Sequence, residues 1–478
     1  SQKPAPPLKQ GDAGDGKELC DLLVVCGEHV IIFSEKTIEW PSGDVSTAWR
    51  RWARKAIRDS AKQTKGAERW ISDFPERLFL DRQCTVPFPI DLPPKDVIKI
   101  HRVVVANGSV RACQKHTSGS SSSLIIRPSI IGNAHWAGDD EELHPFVVGD
   151  IDPNGSFVHV FNEFALDIVL SELDTVRDIT DYLTNKAALV RSGDLFEAQG
   201  EENLLAYYAI RINDEGDHDF VVEVGNTPLS IDHRHYERFV SDPRYKAKKC
   251  ADEISYLWDK LIETFTKHML DGTSITLEGH DFDLRKNELA VRQMAMVPRF
   301  TRRLYSQAIY SALEKGRHSD RFLRILVSPI GGKDSGTAFF ILTLKYLDWM
   351  ETDGGYEKYR LFRSGMAQLC ARGLLERHSH LKRVVGVTFE PPGQGHGGSE
   401  DMIYAEQCEW TDQERETIRK ECKAAGLLQN VKESRYQVEE FPEVENIIIE
   451  RPVPPSPGSQ MNRKRRRKLE ARERKRRR

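Results

Sequence analysis

The tightest constraint on the fold lies in residues 17–70, KELCDLLVVCGEHVIIFSEKTIEWPSGDVSTAWRRWARKAIRDSAKQTKGAERW. Two short apolar runs, residues 22–25 and 30–33, flank Gly27 and Glu28. Runs of that length, rich in Val and Ile and bounded by a turn signal, read as a hairpin of buried strands. A helix is expected next, from about Thr47 to Ile71. There Trp49, Trp52, Ala53, Ala56, Ile57, Ser60, Ala61, Thr64 and Ala67 recur at helical spacing, and basic residues fill the other face. A third apolar run, residues 98–106, returns to the sheet. The order is strand, strand, helix, strand.

Polar residues punctuate this unit where chemistry can use them. Asp21 opens the first strand with Glu18 three residues earlier, Lys36 ends the second strand, and Gln63 lies well along the helix. This arrangement resembles the PD-(D/E)xK nuclease-like superfamily. The resemblance implies metal-dependent hydrolysis of nucleic-acid phosphodiesters with Mg²⁺ or Mn²⁺. In that family an acid on one strand and an acid-x-Lys on the next bind the metal and orient a water, and a Gln on the following helix completes the pocket. Carried onto this chain, Asp21 is the metal ligand with Glu18 its partner, Lys36 steers the water, and Gln63 orients substrate or water. The chemistry is consistent with those residue types. Hard cations take carboxylate oxygens, and a bound metal lowers the pKa of its water and neutralises charge on the scissile phosphate.

Two departures from the pattern stand out. Ser34 occupies the place of the acid two residues before Lys36. Glu35 is the nearest acid, but strand alternation points it to the opposite face from Ser34 and Lys36. The second carboxylate would then come from Glu18 or Glu39. The family also places a helix before the first strand, whereas residues 1–16 are rich in Pro and Gly and read as a flexible N-terminus. Ser1 in place of Met is what a processed or trimmed chain would show.

Composition narrows the class. Hydrophobic residues make up 39% of the 478, as in ordinary globular proteins, and no apolar run approaches the ~20 residues of a membrane-spanning helix. No leader of the charged-then-apolar kind is present. The eight cysteines form no Cys-x-x-Cys pair, so neither a zinc site nor a disulfide framework is expected, and reduced thiols in the cytoplasm fit best. His101, His116, His135, His144 and His159 show no metal-ligand spacing.

The formal charge of −3 conceals polarity. Residues 461–478 hold twelve Lys and Arg against Glu470 and Glu473, a local +10 that leaves −13 on the remainder. Arg463, Lys464, Arg465, Arg466, Arg467 and Lys468 form its densest run. Behind the Pro-rich linker of residues 451–460, such a tail favours contact with DNA or RNA, and in a eukaryotic cell it would also read as a nuclear localisation signal.

The rest divides into a nuclease-like domain at 17–185, a middle α/β domain at 186–288 and a C-terminal α/β domain at 289–450, an α/β chain that is mixed α+β overall. Residues 117–123, TSGSSSS, read as a flexible loop, and 166–183 as one helix ending near the boundary at Asn185. Arg292, Arg299, Arg302 and Arg303 make a basic helix that would suit a phosphate track or a solvated surface. Thr411 and Glu414 mark a capping-box helix start. The downstream domains would recognise substrate or a protein partner, as in restriction or antiviral systems.

Two alternatives remain open. The missing acid at Ser34 would suit a degenerate fold that binds nucleic acid or protein without cutting. Residues 324–337, RILVSPIGGKDSGT, resemble the phosphate loop of PP-loop ATP pyrophosphatases, with Gly331, Gly332, Lys333, Asp334 and Ser335 as the cradle.

Overall fold

The computed structural model of the chain describes residues 8–10, 16–119, 121–139, 142–222, 227–273, 284–328, 332–394, 398–429, 431–434 and 438–443. The architecture is mixed α/β, and the described residues are 45% helical and 21% strand. Strand β1 (Leu8–Gln10) lies antiparallel to β2 (Gly16–Glu18), so backbone pairing begins inside the stretch read as flexible. Main-chain pairing needs no apolar pattern, and for that reason the sequence hid it. At Gly16 a Cβ would meet the Arg82 carbonyl oxygen at 2.7 Å, so only glycine lets the two backbones approach.

Strands β3 (Leu22–Cys26) and β4 (His29–Thr37) form the expected hairpin, with Leu22 opposite Phe33 and Cys26 opposite His29. Gly27, at φ +61°, makes the turn. The helix that follows starts at Asp44, whose Oδ1 accepts the Thr47 N–H at 2.8 Å. It runs through Val45–Ala53, a π-turn over Arg54–Arg58, and Asp59–Asp73. All nine positions that helical periodicity marks, from Trp49 to Ala67, are buried, and Ala48 and Ile71 are buried with them. Strand β5 (Leu78–Phe79) joins β1. Strand β6 (Lys99–Asn107) then runs parallel to β4 along all nine residues of each. A parallel neighbour requires a crossover connection, and the helix supplies it.

Strands β7 (Ile125–Ile131) and β8 (Val147–Asp150) pair with each other, and β9 (Val158–Phe161) completes the first sheet in the order β3-β4-β6-β9. The single helix expected over 166–183 is two, Glu163–Glu172 and Val176–Ser192, each with its own cap. Asn162 accepts the Ala165 N–H at 2.9 Å and Thr175 the Asp178 N–H at 3.1 Å. The boundary placed near Asn185 falls inside the second helix. Strands β10 (Leu195–Ala198) and β11 (Leu229–Ile231) then enter a sheet of order β11-β10-β7-β8, shared by strands from both sides of residue 185. The serine-rich loop is also pinned. Ser121 and Ser123 are buried, and the Ser123 hydroxyl accepts the Glu201 N–H at 2.7 Å, closing the start of the helix Glu201–Ala209.

The C-terminal sheet, β12 (Arg321–Val327), β13 (Thr337–Leu344), β14 (Arg383–Phe389) and β15 (Glu400–Glu406), keeps that order, with only β13 and β14 parallel. Phe339, Ile341, Val385 and Val387 pack on one side against Trp258 and Ile309. Ala338, Phe340, Leu342 and Val384 pack on the other against Ala367, Leu374 and Ile418. The capping box at Thr411 and Glu414 forms as expected.

Residues 438–443 return to the middle of the molecule as a clasp. Glu440 bonds His218 Nε2 at 2.8 Å and pairs with Lys248 Nζ at 3.3 Å. Arg303 donates to the carbonyls of Glu439 at 2.9 Å and Glu440 at 3.1 Å. Burial opposes ionisation of Glu440, but His218 and Lys248 outweigh it and hold its carboxyl down to about 2. Burial likewise opposes the imidazolium of His218, yet Glu440 and Asp178 raise its pKa above 6.5. Asp252 and Arg303 complete the charged surround. The Glu440 contribution is full above its ordinary 4.5 and fades as pH falls towards about 2. The His218 contribution is full below 6.5 and fades as pH rises through its raised value. Glu440→Gln should therefore destabilise the protein most between pH 4.5 and 6.5, by ~1–3 kcal/mol. Thermal melting of both proteins across that range checks this, and a pH-independent difference would contradict it.

Candidate functional site

The hairpin register brings the first acid to the second strand. The Asp21 N–H donates to the Phe33 carbonyl at 3.1 Å, and the Glu35 N–H donates to Asp21 Oδ2 at 2.7 Å. Asp21 thus sits across from Ser34, and one of its carboxylate oxygens ties down the end of β4. Alternation on β4 puts Ser34 and half-buried Lys36 on one face of the sheet. Glu35 and Thr37 take the other face, where Asn107 Nδ2 donates to Glu35 Oε1 at 3.0 Å and approaches Thr37 Oγ1 at 3.4 Å. Glu35 therefore points away from Lys36, as alternation requires.

The crossover helix brings the fourth residue. The Ser34 hydroxyl, fully buried, donates to Gln63 Oε1 at 3.1 Å. The structure thus brings Gln63 to Ser34 and sets Asp21 across from Ser34, while Lys36 shares the strand face of Ser34 two residues on. Glu18 lies on β2, exposed, and paired through its backbone with Leu8. The charge of this corner registers on buried Cys20. Burial first, then Asp21 and Glu18, push its thiol up to about 12.

The Ser34 hydroxyl is already given to Gln63, so the donors on offer are hard carboxylate oxygens, those of Asp21 and Glu18. That fits Mg²⁺ or Mn²⁺, since Mg²⁺ is commonly held by one or two carboxylates together with waters and substrate phosphate. Among the described residues no group of three or more His, Cys, Asp and Glu converges on a common point. His29 Nδ1 and His101 Nε2 lie 2.9 Å apart, burial lowers His101 to about 3, and burial holds His159 well below its ordinary value.

Arg102 escaped the sequence reading. It is 1% exposed in the middle of β6, donates to Asp152 at 2.7 Å and to the Ala61 carbonyl at 2.8 Å, and locks the crossover helix onto the sheet. A charged residue inside the apolar run of residues 98–106 was its only signal.

Two further sequence readings are corrected. The basic helix beginning near Arg292 is two helices, Leu284–Ala295 and Arg299–Arg317, and its arginines do not face a ligand. Arg299 pairs with Asp174 at 2.8 Å and Asp259 at 2.6 Å, Arg302 with Asp259, and Arg303 with Asp252 at 3.2 Å, all three arginines buried. The loop of Gly331, Gly332, Lys333, Asp334 and Ser335 joins antiparallel strands β12 and β13. It therefore lacks the helix N-terminus that a phosphate cradle needs. Gly331 lies outside the described residues. Lys333 pairs with Asp217 at 3.0 Å, and Asp334 with Arg177 at 3.4 Å.

The tail residues Arg463, Lys464, Arg465, Arg466, Arg467 and Lys468 lie outside the described residues. No helix among the described residues is long and apolar enough to cross a membrane. No family model, curated protein or solved structure matches the chain.

Proposed function

We propose that the N-terminal unit hydrolyses phosphodiester bonds of nucleic acid with Mg²⁺ or Mn²⁺, acting in the cytoplasm, or in the nucleus of a eukaryotic cell. The observation that supports this reading is the Ser34–Gln63 bond at 3.1 Å, which brings the helix residue to the strand that carries Lys36. A bound cation would supply an activated water and offset phosphate charge. Asp21, with Glu18, would hold that cation. Lys36, aligned with Ser34 on β4, would hold the water or the developing negative charge. Gln63, fixed by Ser34, would position the substrate. The basic tail of residues 461–478 would raise the local concentration of nucleic acid, and the downstream sheet would engage a protein partner.

A second reading, binding without cleavage, rests on a specific observation. The residue in the acid position is a serine whose hydroxyl is already committed to Gln63. The two readings part on one experiment. Plasmid DNA, single-stranded DNA and an RNA pool are incubated with the full chain in Mg²⁺, in Mn²⁺ and in excess chelator. Cleavage that needs the metal supports hydrolysis. Salt-sensitive binding without cleavage, weakened when residues 461–478 are deleted, supports the second reading. Equal salt dependence with and without the tail would remove the tail from either account.

A further inference from the structure

The helix that brings Gln63 to Ser34 carries a cationic outer side. Opposite its buried residues stand Arg51, Lys55, Arg58, Lys62, Lys65 and Arg69, three or four positions apart. That spacing keeps successive side chains on one flank of a helix. Arg58 is half-buried and the other five are exposed. Arg58 pairs with Asp59 at 3.1 Å and Lys65 with Asp152 at 2.9 Å. Among the described residues, Arg51, Lys55, Lys62 and Arg69 have no carboxylate partner. The helix as a whole, residues 45–73, bears eight Lys and Arg against Asp59, Glu68 and Asp73. Apart from the tail the chain carries a net −13, and this flank is a run of cations on that acidic body.

We propose that this flank is a phosphate-backbone contact of the domain, the line along which a nucleic-acid strand lies. The clause that the strand is then cut rests on the function proposed above, whereas the contact itself does not. Two observations favour a nucleic-acid backbone on this flank. The cations form a row rather than a cluster. From Arg51 to Arg69 the row spans ~27 Å at ~1.5 Å per residue, the length of about eight steps along a duplex at ~3.4 Å each. Gln63 follows Lys62 in the chain, but its side chain turns inward to Ser34, off the row. The competing basic helix is excluded, because Arg299, Arg302 and Arg303 are buried in ion pairs.

The test uses the full chain carrying Arg51→Gln, Lys55→Gln, Lys62→Gln and Arg69→Gln together. Gln keeps helix propensity, and all four sites are exposed, so circular dichroism and melting should match wild type. The probes are a fluorescent random-sequence DNA duplex, its single strand and an RNA of equal length, titrated over a KCl series, with polyglutamate as the acidic-protein surrogate. Each phosphate contact contributes ~0.9 to the slope of log affinity against log salt for a duplex and ~0.7 for a single strand. Loss of four contacts should therefore flatten the slope by about 3 and weaken binding at least about tenfold at ~0.1 M salt. An unchanged slope in a folded variant overturns the proposal. Polyglutamate that binds as tightly as nucleic acid, and loses as much in the variant, also overturns it in favour of an acidic protein. The outcomes separate from those of the proposed activity. A flattened slope in a protein that never cleaves keeps the contact and removes the hydrolysis, whereas wild-type slope with metal-dependent cleavage does the reverse.

Discussion

Asp21→Asn and Lys36→Ala should each lower metal-dependent cleavage by about a hundredfold or more, ~3 kcal/mol of transition-state stabilisation, with little change in stability. Asn at position 21 keeps the oxygen that accepts the Glu35 N–H, now at 2.7 Å, so the end of β4 should stay in place while the charge that a cation needs is gone. Lys36 is half-buried at a strand end and belongs to none of the apolar clusters, so its truncation removes a cation rather than packing. Gln63→Ala should cost less, because it reaches the reaction through position rather than charge. It leaves the buried Ser34 hydroxyl without its acceptor. Glu35→Ala is the internal control. Its side chain is held on the opposite face by Asn107, and its link to Asp21 runs through the backbone N–H, which alanine retains. Rates come from a labelled substrate under single-turnover conditions, and the pattern across the four variants matters more than any one value. If Asp21→Asn and Lys36→Ala cut like wild type, the activity lies elsewhere in the chain. A Glu35→Ala variant as damaged as those two would mean that the face assignment is wrong.

The largest expected loss of stability is Trp52→Ala, at ~3–5 kcal/mol for a large aromatic side chain removed from a core. Trp52 is 0% exposed, and its ring lies 5.5 Å from Trp49 and 5.9 Å from Trp40, centroid to centroid. Its indole N–H points between the carbonyls of Ile38, at 3.2 Å, and Asn107, at 3.4 Å. One side chain therefore pins the helix to the ends of β4 and β6, just beyond Lys36. Whole domains are commonly stable by only ~5–15 kcal/mol, so such a loss is a large share of the total. Urea denaturation followed by circular dichroism measures it. Trp70→Ala, on a half-buried residue whose N–H reaches the Arg77 carbonyl at 3.3 Å, should cost clearly less. A Trp52→Ala loss below ~1 kcal/mol, or one no larger than that of Trp70→Ala, would show that the aromatic cluster does not hold the helix in place.

The hairpin, the helix and the returning strand were legible because each is a local statement. Four apolar residues on either side of Gly27 favour strands, and apolar residues at helical spacing define a single buried flank. The same periodicity placed Glu35 away from Ser34 and Lys36, and the Thr411–Glu414 cap needed only a spacing of three. Which helical residue meets which strand residue is not local. The bond from Ser34 to Gln63 spans 29 positions and depends on the crossover helix lying over β4, which only the parallel pairing of β4 with β6 enforces.

The basic residues mark the clearest division. Sequence alone showed two helices rich in Arg and Lys, and nothing in their spacing told them apart. The carboxylates that neutralise Arg299, Arg302 and Arg303 stand at Asp174, between two helices, and at Asp252 and Asp259 on two others. Arg51, Lys55, Lys62 and Arg69 face solvent because the opposite flank of their helix is sealed against the first sheet. In the same way, loop composition at Gly331–Ser335 suited either a phosphate cradle or a hairpin turn, and the antiparallel pairing of β12 with β13 decided it. Periodicity and capping belong to the chain itself, and the sequence determines them. The partner of a charge and the element that follows a loop depend on residues far away along the chain, and only tertiary structure selects them.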